Sequence, residues 1–526
     1  MFMGQTGTNV AGRRSRSVFP GGLVLLVVAA CGGASRSVGF GDDAGPAAGD
    51  DAASLTGLHG GVGSPCAAHG EVNVTCTEGL VCVMGVCELP SSSDAGGSSD
   101  TVGDGSAHAA AKPASEAGTD AAPGVHPAAS TVAVSGGHSC ALHAGKVECW
   151  GANYAGELGI GTYNGPQSCN NNYACSPAPV AVTGLTGSVV SLAAGEGETC
   201  VLYAGGTVAC WGANDYGQLG LGSTSGPEVC QFGGPVPCST TPVVVPGVSG
   251  ATAVATNGQE ACVVLSSGAV ECWGSNLHGG LGNASVDGGV PGGSSPVPLV
   301  VSGLPRASAV GLGSGSACAV LLDGTVQCWG ANVYGQLGNG STTDSTTPVA
   351  VSGVSGAVAI AVGWMHACAL LADGTVACWG DNGNGALGLG TFSGPQTCAS
   401  ISEPCATTPG KVPGLSHVTA IAAGMFTTCA LLSDGTGRCW GWNYHGELGD
   451  GTMVDDSSTP VVVSGLTGAS AIALGYENAC ALVSSGDVLC WGQNSLGQLG
   501  SAPTGPQTCT VSGYYCSTTP IKVSGL

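Results

Sequence analysis

The chain predicts an all-β fold built from seven repeated units, and three observations lead there. A Trp-Gly step recurs seven times between residues 131 and 526. Glycine supplies 95 of the 526 residues while charged residues make up only 8 %, a composition suited to short strands joined by tight turns. Most of the 27 cysteines fall into closely spaced pairs that recur with the repeat. No Gly-X-Y period runs through the glycines, which excludes collagen.

Residues 1–30 place Arg13, Arg14 and Arg16 ahead of an apolar run from Val18 to Ala30. The run is shorter than a comfortable bilayer span and ends in small residues, as signal peptides do. Val28-Ala29-Ala30-Cys31 resembles the lipobox of bacterial lipoproteins. That resemblance implies cleavage before Cys31, a diacylglycerol on its sulfur and acylation of its amine. Several chains on one residue anchor stably where one would not. Cys31 is also the one cysteine without a nearby mate. Gly32 follows it, with no Asp there, which in such lipoproteins implies the outer membrane or cell surface.

Residues 31–62 are rich in Gly, Ala, Asp and Ser and read as a flexible tether. Residues 63–90 carry Cys66, Cys76, Cys82 and Cys87, a small module that two disulfides would staple. Three connectivities are open. A zinc site is the alternative, disfavoured in an oxidising compartment. Residues 91–130 form a second low-complexity linker. The net charge is −23, and removal of the basic leader would make it more negative. Such a surface repels phosphate backbones and excludes nucleic acid as a partner.

From residue 131 onward the chain repeats itself, which decides the fold. The anchors are Trp150, Trp211, Trp273, Trp329, Trp379, Trp440 and Trp491, spaced by 61, 62, 56, 50, 61 and 51 residues. One unit runs from Cys318 through the turn Leu322-Asp323-Gly324 to Cys328-Trp329-Gly330, then Asn332, then Gly335-Gln336-Leu337-Gly338. A later Pro-Val-x-Val segment, such as 348–351, reads as a further strand. These units resemble the repeats of the regulator-of-chromosome-condensation family, which read Gly-x-x-His, Ala-Leu, Asp-Gly, Trp-Gly-x-Asn and Gly-Gln-Leu-Gly. The resemblance covers residues 131–526 and implies a seven-bladed β-propeller with four strands per blade.

A three-residue turn with Gly third suits a type I turn followed by a left-handed residue. Antiparallel counting then sets Cys318 opposite Cys328, within disulfide reach. The same count pairs Cys200 with Cys210, Cys262 with Cys272, Cys368 with Cys378, Cys429 with Cys439 and Cys480 with Cys490. A two-residue turn at Ala144-Gly145 pairs Cys140 with Cys149. Four further pairs, Cys169/Cys175, Cys230/Cys238, Cys398/Cys405 and Cys509/Cys516, follow Gly-Pro-Gln or Gly-Pro-Glu and are expected to staple enlarged rim loops.

The sequence offers no convincing catalytic constellation, and no cofactor or metal is implied. No Gly-x-Ser-x-Gly elbow sits between a strand and a helix, and Gly311–Ser316 precedes no helix that could cradle phosphate. His138 and His366 occupy the family's Gly-x-x-His position and are expected to support blade packing. Asp450, Asp455 and Asp456 read as a solvated acidic turn. The nucleotide-exchange activity of the family's namesake does not carry over to an acidic chain that bears an export signal. Only Trp364 matches the Gly-Trp-x-His turns of plant photoreceptors.

What remains is a rigid disc with variable loops. The turns after the repeated glycine differ between units, and Trp364, Met365, Phe426, Tyr476 and Glu477, with Trp442 and Tyr444, are candidate contacts. The reading is a lipid-anchored module outside the cytoplasm that binds a protein or other macromolecule at the cell surface through one propeller face. Secreted bacterial propellers that bind β-lactamases are similar. The alternatives are a polysaccharide-active enzyme, which would need carboxylates such as Glu196, Glu198 and Glu477 to converge in a pocket, and a structural or adhesion component of the envelope.

Overall fold

A computed structural model of the chain describes residues 81–83, 86–88 and 131–526, except 144, 170–171, 285–292, 399–402, 454, 503–506 and 509–514. The leader, Cys31, the tether, Cys66, Cys76, the 91–130 linker and Cys509 lie outside the described residues. Within the small module, Val81–Val83 pairs antiparallel with Val86–Glu88, setting the Cys82 and Cys87 backbones opposite each other.

Residues 131–526 form seven antiparallel sheets. Blade 1 spans residues 131–181, blade 2 189–244, blade 3 251–300, blade 4 307–350, blade 5 357–411, blade 6 418–462 and blade 7 469–522. Blade 4 shows the plan. Its strands Ala307–Leu312, Ser316–Leu321, Val326–Gly330 and Ser345–Ala350 pair in sequence order. Blades 1, 2, 5 and 7 carry a short fifth strand on the outer edge. The expectation was four strands in every blade. Gln167–Ser168, Glu228–Gln231, Gln396–Cys398 and Gln507–Thr508 are the additions. They arise because the longer repeats have enough chain to fold back on the fourth strand. Cys169–Cys175, Cys230–Cys238 and Cys398–Cys405 clip three of these insertions. Cys516 is also disulfide-bonded.

The seven hairpin cystines form as antiparallel counting requires. Cys318 pairs in register with Cys328, and the same opposition holds in each of the other six blades. Their Cα atoms lie 4.0–4.1 Å apart. Gly324 takes φ +77° at the third turn position, the left-handed backbone that glycine adopts most cheaply. Replacing Cys318 and Cys328 together by Ala should cost about 2–3 kcal/mol, the loop entropy of a ten-residue closure, read as a lower denaturant midpoint with the fold retained.

Period-two alternation explains how the blades stack. Along Ser316–Leu321, Cys318 and Val320 pack against Ala357, Ala367 and Ala369 of blade 5. Ala317, Ala319 and Leu321 turn the other way, toward Cys262, Val264 and Cys272 of blade 3. The bulkier cystine face of one blade thus meets the alanine face of the next. Seven such clusters fill the seven blade interfaces, including one between blades 7 and 1.

Each repeat motif latches its blade to a neighbour. The seven tryptophans are fully buried, and each indole N–H donates to the carbonyl of the x residue in the preceding unit's Gly-x-Leu-Gly: Trp211 to Glu157, Trp329 to Gly280, Trp440 to Ala386. The Asn of Trp-Gly-x-Asn shapes the loop by accepting from the backbone N–H of that motif's Leu, as Asn332 does from Leu337. Gly151 has φ +103°, and a Cβ there would collide with the Gly137 carbonyl. Trp150 closes the ring by donating to Gln498 O of blade 7 at 2.9 Å. Each blade is one continuous stretch of chain, so no shared strand joins blades 7 and 1.

The first strand of each blade lines the axis and packs on the first strands of its neighbours all the way round. Glycines end most of these strands because the backbones converge there. A Cβ on Gly363 or Gly475 would strike the carbonyl of the next blade, at Gly424 or Ser135.

Candidate functional site

Beyond those strand ends, each chain turns through two tip residues that ring the channel mouth. The tips are Gly136-Gly137, Glu196-Gly197, Gly258-Gln259, Ser314-Gly315, Trp364-Met365, Met425-Phe426 and Tyr476-Glu477. The ring is lopsided. Blades 1–4 present glycine and small or polar groups, and blades 5–7 present large side chains.

The large tips join into one aromatic crescent. Trp364 stacks with Tyr476 at 5.9 Å between centroids and 11° between planes. It also meets Phe426 at 5.8 Å. Phe426 meets Trp442 edge-on at 5.8 Å, and Trp442 meets Tyr444 at 6.0 Å. Offset and edge-on geometries like these favour aromatic pairs. The structure therefore gathers Trp364, Phe426, Trp442, Tyr444 and Tyr476 into one surface. All are half-buried except Tyr444, which is exposed. Met365 and Glu477 flank the crescent as the second residues of their tips.

Tyr476 reaches past blade 1 to blade 2. Its ring lies on Gly136 of blade 1, where a Cβ would collide with it. Its hydroxyl donates to Glu196 Oε2 of blade 2 at 3.2 Å. The cavity beside it, about 400 Å³, is lined by Glu196, Asn257, Gln259, Ser314, Trp364 and Tyr476 among others.

Carboxyl groups concentrate near this mouth and are starved of water. Burial raises the Glu196 pKa, with the Tyr476 hydrogen bond pulling the other way. Burial of Glu157, with the Glu196 charge adding a smaller part, lifts it to about 7. Tyr476 is held as the neutral phenol by burial and by Glu196. A second group adjoins the crescent: the His445 ring meets Trp442 at 6.0 Å and Tyr444 at 5.5 Å, both edge-on, and its Nδ1 is 3.3 Å from Glu447 and 3.5 Å from Glu477. Burial lowers the His445 pKa, but the two carboxylates outweigh it and leave it raised.

Of Glu196, Glu198 and Glu477, only Glu196 lines the cavity. Glu198 is buried and accepts from the Thr256 hydroxyl at 2.6 Å. Glu477 accepts from the Gln493 amide. His138 and His366 bridge blades, reaching Thr199 and Thr428 of the following blade at 2.7 and 2.8 Å. Asp456 is not a solvated turn residue: it accepts from Asn443 N and Asn384 Nδ2, tying blade 6 to blade 5. Asp450 accepts from the backbone and hydroxyl of Thr452.

Sequence reasoning missed His445, Glu157 and Tyr154. A signal existed for Glu157 and Glu447, which stand where three units have Gln in Gly-Gln-Leu-Gly. Their carboxylates keep the structural role, accepting from Ala155 N and His445 N, as Gln218 accepts from Tyr216 N. Tyr154 stacks with Phe232 of the clipped blade 2 loop at 5.1 Å, a contact that only the fold brings about.

A model of the RCC1-like domain matches residues 95–475, and one of the regulator of chromosome condensation (RCC1) repeat matches residues 469–498. The chain belongs to the RCC1-like domain family. Its RCC1-like propeller is 28 % identical over 374 residues to the ultraviolet-B receptor UVR8 of Arabidopsis thaliana, covering 69 % of this chain and 76 % of that one. It is 32 % identical over 219 residues to the human E3 ubiquitin-protein ligase HERC2, covering 40 % of this chain but 4 % of HERC2. Among solved structures, yeast RCC1 (Prp20) bound to Kap60 superposes with a TM-score of 0.57 at 20 % identity, over 72 % of this chain and 84 % of that one. Human WBSCR16 gives the same score and identity, over 72 % and 93 %. These likenesses agree on the fold.

Proposed function

We propose that the chain is a lipid-anchored, extracytoplasmic binding module that holds a partner protein on the channel-mouth face of its propeller. The aromatic crescent carries this reading. Among the tip residues, large rings occur only in blades 5–7, where Trp442 and Tyr444 of the blade 6 loop extend them, whereas the tips of blades 1–4 carry glycine with small or polar residues. Aromatic anchors at the centre of a rigid face are what dominate binding energy in protein interfaces. The lipobox at Cys31 and the cystine in every blade support a setting outside the cytoplasm.

The test is capture of envelope proteins by the full chain displayed on intact cells. Replacing Trp364 and Phe426 together by Ala should weaken capture at least tenfold, since truncating hot-spot aromatics costs about 2 kcal/mol or more. Circular dichroism should be unchanged. Equal capture by the folded double variant would remove the crescent as the binding face. Cys31→Ser should shed the protein into the medium without its lipid mass, and retention on the membrane would refute the anchor.

A further inference from the structure

We propose that the channel mouth receives a cationic side chain, a guanidinium or ammonium group, from the partner protein, seated between the Trp364–Tyr476 pair and Glu196. The assignment rests on the binding-face reading above and adds the chemistry of what enters it.

The charge distribution points to a cation. Strands alternate in direction, so their ends sort onto the two faces of the disc. Among the described residues, every Lys and Arg lies toward the face away from the mouth. Lys146 opens a third strand and Arg438 is second in another. Lys411 and Lys522 end fourth strands. Arg306 immediately precedes a first strand and bonds to the hairpin carbonyl of Ser267. The mouth face holds Glu196 and Glu477 in its tips, and Asp344 and Asp456 just before fourth strands. Among the described residues no lysine or arginine stands there; His278 meets Asp344 at 2.7 Å and His445 lies 3.5 Å from Glu477, while Glu196 is met by the Tyr476 hydroxyl. The opposite face sets its acids among those lysines and arginines, Asp487 beside Lys522, Asp434 near Arg438 and Asp373 near Lys411, so a basic side chain meets less compensated negative charge at the mouth.

The cavity suits such a group. At about 400 Å³ it admits a side chain and stops well short of a folded element. Trp364 and Tyr476 offer π-faces, which attract guanidinium and ammonium groups. Glu196 supplies the counter-charge. Its carboxylate holds one hydrogen bond from Tyr476 and is largely desolvated, so an incoming cation is worth more to it than to an exposed carboxylate. Asn257 and Ser314 line the same space, with further polar groups to meet the remaining N–H donors.

Calorimetry with the full chain tests this, using a blocked glycine pentapeptide with a central arginine, the same peptide with citrulline, and free agmatine. Citrulline keeps the shape and removes the charge. The arginine peptide should bind at least tenfold more tightly than the citrulline peptide. Glu196→Gln and Trp364→Ala should each cost about tenfold, and Asp434→Asn on the opposite face should cost nothing. Equal binding of arginine and citrulline peptides, or indifference to Glu196→Gln, overturns the proposal. Agmatine binding as tightly as the peptide overturns the assignment to a protein side chain. Should the wild type capture a partner whose binding ignores Glu196→Gln while Trp364 and Phe426 remain essential, the binding face stands and the cation alone is wrong.

Discussion

Trp150→Ala is expected to destabilise the propeller by about 3–5 kcal/mol, the usual cost of emptying a buried tryptophan site, and to do so in a way no other anchor substitution matches. Trp150 is fully buried. It packs with Val134 and Ala141 of blade 1 against Leu482, Val488, Leu499 and Val523 of blade 7. Its indole N–H meets the Gln498 carbonyl. Trp329 makes equivalent contacts between blades 3 and 4, but those blades are also joined by the chain. Blades 7 and 1 are held by packing and hydrogen bonds alone, because each sheet is built from its own stretch of sequence. Both variants should lose similar equilibrium stability. Only Trp150→Ala should also speed hydrogen exchange in Thr131–Val134 and Ala469–Leu474, the strands that part when the ring opens. Native-state exchange checks this, since it reports local opening apart from global unfolding. Identical exchange patterns in the two variants would show that closure is no weaker than any other interface.

The second large effect is on pH. Glu198 and Glu260 are fully buried, and loss of hydration pushes each up to about 8, with Glu157 pushed up to about 7. Their unfolded counterparts titrate near 4.5. Between those values the folded chain keeps protons that the unfolded chain has released. The stability these groups contribute is present below the unfolded value and is lost as the pH rises through the folded one. His138 and His366 act oppositely. Burial depresses them to about 3 and about 4, so their contribution is present above the unfolded value of 6.5 and lost as the pH falls. Above that value the histidine contribution is complete and the carboxyls set the slope, with His445, whose pKa is raised, acting in the same sense. Each retained proton is worth about 1.4 kcal/mol per pH unit. Thermal midpoints should therefore fall most steeply between pH 6.5 and about 8, by several kcal/mol in stability. Glu198→Gln with Glu260→Gln should flatten that slope. A midpoint level or rising over the same range would contradict the burial of these groups as neutral acids.

Glu198 and Glu260 also show where reading a sequence stops. They stand at the position that His138 and His366 occupy in blades 1 and 5, so their inward placement follows from the repeat. That Glu198 would be capped by Thr256 and its charge suppressed depends on the neighbouring blade, which the repeat does not specify. The aromatic crescent divides the same way. Trp364, Phe426 and Tyr476 were recognisable because they replace small or polar residues at a variable turn. Trp442 and Tyr444 stood out only as aromatics near an anchor. Contact between Tyr476 and Glu196, 280 residues apart, follows from ring closure and the geometry of the tips.

The residues in order determined the repeat, the number of blades, the hairpin register and hence which cysteines oppose each other. Those are local facts: turn length and period-two alternation act over about ten residues. The tertiary structure decided which tips share a cavity, which carboxyls lose their water and which face of the disc gathers the described lysines and arginines. Those depend on separations across the axis, where residues far apart in sequence meet and the dielectric surroundings are set by every blade at once.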